Sequence, residues 1–153
     1  DRMRVAMRNR TIGRELALKF LFMLDLRGPE VRAELTEFLV SSRAPEEALR
    51  FAKDLVSGYL EQAQRIDECV DQAAENWEIR RMATVDRNIL RISAYELLAC
   101  PETPAKVVIN EAIEIGKKYG SARSASFING ILDRIRRSRD HAEDAGEKAS
   151  GAP

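Results

Sequence analysis

The sequence predicts an all-α domain of about six or seven helices, and three observations carry that prediction. Apolar residues recur at helical spacing along most of the chain. No clear run alternates apolar and polar residues at period two, as a half-buried strand would. The internal prolines fall between the periodic stretches and punctuate them. With 153 residues, 44% of them hydrophobic, the chain can bury one substantial core.

The first helix is expected from about Thr11 to Leu26. Leu16, Ala17, Phe20, Leu21 and Leu24 have the spacing of a buried stripe, and Arg27-Gly28-Pro29 ends it. A short helix follows around Glu30 to Ser41. Pro45 suits a first helical position, with Glu46 and Glu47 next, where the dipole favours acids. From there Ala52, Val56, Tyr59, Ala63, Ile66, Val70, Ala73 and Trp77 step by four and three, as in one long helix or two with a break near Gly58 to Asp67. The next helix covers about Thr84 to Ala99. Thr103 can cap a helix that has Pro104 at its first position and stops at Gly120. The last runs from about Ser124 to Arg137, burying Ile128, Ile131, Leu132 and Ile135. Residues 1–137 then form a single domain. Residues 138–153, polar, small and ended by proline, are expected to be a disordered tail.

Charge narrows the function. The net charge is zero, but residues 1–14 sum to +4 (five Arg against Asp1) and residues 123–139 also to +4 (five Arg against Asp133). Residues 30–78 carry five basic and twelve acidic side chains, hence −7. Two basic ends and an acidic middle point to an anionic partner. The only histidine, His141, lies in the polar tail, so triad and His-based zinc chemistry have no positioned imidazole. The glycines are scattered and form no phosphate loop. Cys69 and Cys100 form no CxxC pair and read as idle thiols in a reducing compartment. There is no long apolar run and no visible signal peptide, so a soluble, cytoplasmic protein without membrane contact, metal or cofactor is expected.

Several residues do not fit a plain helical core. Arg2, Arg4, Arg8, Arg10 and Arg14 crowd the N-terminal end of the first helix, where cations oppose the macrodipole. Arg14, Leu18 and Phe22 fall beside the core stripe, so Phe22 is expected near the arginine edge, ready to stack on an unpaired base or covered by a neighbouring helix. On the last helix Arg123, Phe127, Gly130, Arg134 and Arg137 share a second face, and an interior glycine implies close approach by a backbone or a ligand. If the two helices are neighbours, these faces form one basic surface. Glu96 shares a face with Val85, Ile89 and Ile92, where a carboxylate needs a partner, and Asn110 is a plausible one.

The blocks TVDRNILRISAYELL, TPAKVVINEAIEIGKKYG and SFINGILDRI resemble the NusB family of transcription antitermination factors in order and spacing. RELALKFLF resembles that family's arginine-rich opening helix, and ENWEIRRM its central linker. The resemblance implies two helical bundles and no catalysis. It also implies binding of a single-stranded boxA-type RNA of ribosomal RNA leader transcripts, together with the ribosomal protein NusE, in an RNA polymerase antitermination complex. Arg10, Arg14, Phe22 and Phe127 fall on positions that match the family's basic and aromatic motifs, and with Arg8, Arg123 and Arg134, read from the charge clusters and helix faces, they are the candidate RNA contacts; Arg123 stands where the family's residue varies and can be acidic. Asp86 and Arg87, in the region of the family's NusE-binding surface, are candidate polar contacts to NusE. Either a monomer or a homodimer fits. Two alternatives stay open: the RNA-binding domain of a ribosomal RNA cytosine methyltransferase, and a purely protein-binding helical scaffold whose arginines are merely solvated.

Overall fold

The computed structural model describes the backbone of residues 1–150 and the side chains of residues 1–146. Among these residues are seven α-helices and no strand: α1 (Arg2–Arg27), α2 (Leu35–Ser41), α3 (Glu46–Glu61), α4 (Ala63–Ala74), α5 (Thr84–Ala99), α6 (Ala105–Tyr119) and α7 (Ser124–Ser150). Short 3₁₀ segments, Pro29–Glu34 of two turns and Ile79–Arg81 of one, join α1 to α2 and α4 to α5. Helices α1 to α3 make the N-terminal bundle, in which α1 packs along α3, and α4 to α7 make the C-terminal one. Helix α5 is the common axis, packing on α1, α3, α4, α6 and α7, and Ile89, Leu90, Ile92, Ala94 and Leu97 on it lie in one continuous core with Phe20, Leu55, Ile66 and Ile128.

The sequence and the structure differ chiefly at element ends. Helix α1 starts at Arg2 instead of Thr11, because the Asp1 carboxylate accepts the Met3 N–H at 3.1 Å and Arg, Met and Ala are good helix formers. The first eight residues are exposed, and a helical segment with nothing to pack on needs no apolar period. The long run after Pro45 is two helices broken at Gln62, and Pro45 sits one place before α3. Pro104 likewise precedes α6, and Thr103 caps no helix, since its hydroxyl accepts a hydrogen bond from Arg10. Gly120 ends α6 in an extended conformation, not a left-handed one. Helix α7 continues past Arg137 to Ser150, over most of the stretch expected to be a disordered tail. Beyond Arg137 the Arg139 guanidinium donates to the Leu97 carbonyl at 3.1 Å and ties α7 to the end of α5. Residues 151–153 of that tail lie outside the described residues.

Two glycines set the geometry of the N-terminal bundle. Gly28 turns the chain at φ +101°, a conformation L side chains rarely adopt. Gly13 lies at the crossing of α1 and α3, where an added Cβ would stand 2.9 Å from the Phe51 ring and 3.0 Å from the Ala48 carbonyl oxygen. Among the described residues no helix is long and apolar enough to cross a membrane.

Candidate nucleic-acid interface

The N-terminal arginines divide into two kinds. Arg2, Arg4, Arg8 and Arg10 are exposed along the free end of α1. Arg10 donates to the Thr103 hydroxyl at 3.2 Å and lies over the Phe51 ring at 4.9 Å, which orients it without covering it. With Met7, Arg8, Pro104 and Val107 it lines a groove of about 530 Å³ between the starts of α1 and α6. Arg14, expected among the RNA contacts, is instead 4% exposed. Its guanidinium donates to both Glu96 carboxylate oxygens, at 2.8 and 2.6 Å, and to Glu111 at 2.9 Å. Burial disfavours its charge, but the two carboxylates outweigh that and hold its pKa above the usual value. Arg14 is therefore the partner that Glu96, 1% exposed, requires, in place of Asn110.

The second cluster gathers at the other end of α5. Arg123 is exposed just before α7, and Phe127 is half-buried one turn on, against the core. The Phe127 ring meets the Trp77 indole edge to face, with centroids 6.3 Å apart. Arg134 is half-buried, donates to the Ala73 carbonyl at 2.5 Å and so secures the end of α4. Phe22 is half-buried on α1, one turn before Asp25, which meets Arg87, Asn88 and Arg91 near the start of α5. Phe22, Arg123 and Phe127 thus lie toward one end of α5, and Arg8 and Arg10 toward the other. Helices α1 and α7 both pack on α5 and make no substantial pair with each other. The residues of α5 that bond Ser124 and Arg14 are Asp86 and Glu96, ten positions or ~15 Å apart along a helix. Between the ends, Lys19 and Lys118 lie over the Tyr119 ring at 5.6 and 5.2 Å, and Lys118 also pairs with Glu15 at 2.9 Å. These intermediate cations were missed by sequence reasoning, since isolated lysines on exposed helix faces carry no signal of their own.

Asp86 and Arg87, the expected partner contacts, are committed within the chain. Asp86 is 9% exposed and accepts a 2.6 Å hydrogen bond from the Ser124 hydroxyl, which pins the start of α7 to the start of α5. Arg87 donates to Asp25 at 3.0 Å and to the carbonyls of Ile79, Arg80 and Met82. Both correct the surface role expected of them: the α4–α5 link needs its carbonyls satisfied, and Arg87 supplies the donors.

Asp25 has a measurable consequence. Burial alone would raise its carboxyl pKa, but the Asn88 amide and the Arg91 and Arg87 guanidinium groups outweigh burial and hold it below the ordinary value. The stability it contributes is complete above the unfolded carboxylate value of about 4 and is lost as the pH falls through the lower folded value. Thermal melts should show Asp25→Asn destabilised at neutral pH, with a shallower loss than the parent on acidification below about pH 4. Parallel acid limbs would remove Asp25 from the linkage. Elsewhere, burial together with Glu102 and Glu96 pushes the Cys100 thiol up to about 11, and burial raises Cys69, so both free thiols stay protonated near neutral pH.

Two helical bundles on one shared axis, with Arg8 and Arg10 toward one end and Arg123 with the Phe127–Trp77 pair toward the other, define an all-helical two-bundle protein. The comparisons carry this further. The NusB family model matches residues 11–137, and the chain belongs to the NusB family, which is non-enzymatic. The transcription antitermination protein NusB of Geobacter sulfurreducens is 48% identical over 128 residues, covering 82% of this chain and 92% of that one. T. maritima NusB superposes with a TM-score of 0.77 at 37% identity, over 84% of this chain and 90% of that one. A structure of the antitermination factors NusB and NusE in complex with dsRNA matches with a TM-score of 0.78 at 27% identity, over 86% and 98% of the two chains.

Proposed function

We propose that this antitermination factor binds a single-stranded boxA-type RNA of ribosomal RNA leader transcripts, jointly with the ribosomal protein NusE, and so joins the antitermination complex on RNA polymerase. The observation that carries this reading is the N-terminal half of α1. A preformed helix holds Arg2, Arg4, Arg8 and Arg10 in solvent, against the dipole, with no acid in its first turn. That arrangement costs roughly 0.3–1 kcal/mol per charge in the free protein and is repaid only when an anion arrives. Lys19 and Lys118 continue the cationic line toward Arg123, and Phe22 and Phe127 supply π-faces at the far end. A relative occurs in a solved complex with NusE and dsRNA, which supports NusE and RNA, though not a particular RNA form, as partners here. The remaining candidates, Phe22, Arg123, Phe127 and Arg134, belong to this RNA reading.

The test is a titration of labelled boxA-like RNA against a scrambled oligomer, with and without NusE. Tighter binding of the boxA-like RNA, increased further by NusE, is the expected result. Equal binding of both oligomers would leave only a non-specific polyanion site. No RNA binding at all would leave the purely protein-binding scaffold.

A further inference from the structure

The stepping of apolar residues places Trp77 on a buried stripe, yet it is 55% exposed and is the only tryptophan of the chain. Its position is built. Helix α4 ends at Ala74 and is followed by Glu75, a non-glycine residue at φ 56° and ψ −74°, across which the Asn76 N–H donates back to the Ala74 carbonyl at 2.6 Å. This is the rare, strained γ-turn of positive φ. The strain is spent on turning the chain so that the next residues, Trp77 among them, run over α7. There the Phe127 ring meets the indole edge to face, while more than half of the tryptophan stays exposed. One turn beyond Phe127, Gly130 opens a notch in α7. A Cβ built there would meet only the Arg134 guanidinium, at 3.8 Å, and no packing helix. An interior glycine costs about 1 kcal/mol relative to alanine, and in the free protein nothing at this position requires it.

The cations around the indole select the occupant. Arg123 lies one turn before Phe127, Arg134 reaches Ala73 and Glu75 at the end of α4, and Arg80 and Arg81 follow the indole in the chain. The nearby acids Glu78 and Glu75 are engaged by Arg80 at 2.6 Å and by Arg134 at 3.9 Å, while Arg81 and Arg123 have no ion-pair partner among the described residues. We infer that Trp77 is a nucleobase-stacking platform of this chain, extending the Phe127 site, with the Gly130 notch admitting the base or ribose that lies against it. The inference rests on the proposed RNA-binding reading. It assigns the stacking role chiefly to Trp77, because Phe127 is partly used in holding the indole. A protein surface would also bury an exposed tryptophan, but the unpaired arginines beside it favour a polyanion with π-faces.

A single tryptophan makes the site report on itself. A labelled single-stranded RNA oligomer should quench Trp77 emission with the same midpoint as its own anisotropy change. Trp77→Ala should weaken binding roughly 5- to 150-fold with little change in salt slope, and Trp77→Phe should recover most of the loss. Gly130→Ala should fold at least as stably as the parent, yet bind the RNA more weakly. RNA binding with unchanged emission and unchanged affinity of Trp77→Ala would overturn the platform and leave the RNA reading standing. An emission change on adding NusE alone, with none on adding RNA, would overturn it in favour of a protein contact. Absence of RNA binding by anisotropy would remove both readings together. The emission measurement needs no variant, so a substitution that fails to fold does not protect the proposal.

Discussion

Arg14→Ala should destabilise the protein by about 3–5 kcal/mol, the usual consequence of leaving a buried charge without its partner. The change strips Glu96, 1% exposed, of both guanidinium bonds in the helix on which α1, α3, α4, α6 and α7 all pack. Glu111, 22% exposed at its side chain, can take up water and contributes less to the loss. Thermal melts followed by far-ultraviolet circular dichroism measure the effect, a fall of roughly 10 °C or more for a chain of this size. The double variant Arg14→Met/Glu96→Leu should regain most of the stability, because a buried ion pair replaced by apolar residues of similar volume is often neutral or better. That variant should also keep its RNA affinity. A folded double variant that binds RNA poorly would return Arg14 to the interface; a single variant as stable as the parent would show the pair to be idle.

Removing the exposed cations should act oppositely, on binding and not on folding. If Arg8, Arg10 and Arg123 each neutralise one phosphate, the slope of log K against log salt should be about −2 for single-stranded RNA. Each Arg→Ala change should flatten it by about 0.7 and weaken all sequences alike, and the triple variant should lose nearly all of this dependence. Arg10→Ala should add a small loss of stability from its place over Phe51 and against Thr103. Arg134→Ala should change the slope least, since that guanidinium already serves the Ala73 carbonyl. A slope unmoved by the triple variant would place the phosphate contacts on Lys19, Lys118 or Arg81 instead.

Local patterns were the legible part of this fold. The range Thr84–Ala99 is read from sequence as it stands in the structure, because apolar spacing and the prolines after it act within a few residues. The exposed start of α1 was not legible, since a helix without neighbours leaves no period. The site was legible as residue types and not as roles. Arg14 looks like any other arginine of its cluster, and its partner stands 82 positions away. Asp86 looks like a first-turn acid until Ser124, 38 positions on, closes over it. Trp77 continues a core pattern that the turn at Glu75 cuts off just before it.

The two charge contacts between α1 and α5 are also a lock on alignment. Arg14 on α1 meets Glu96 on α5, while Asp25 on α1 meets Arg87 and Arg91, so the antiparallel helices carry opposite signs in reversed order. Sliding one helix past the other by a turn would unpair both ends at once, and the reverse orientation would set like charges together. Each half of the chain holds counter-ions that the other half needs, so the two are expected to unfold in one cooperative transition, which coincident melts by far-ultraviolet dichroism and Trp77 emission would check. The same lock fixes the distance between the two ends of α5, and with it the spacing of Arg8 and Arg10 from Phe127 and Trp77.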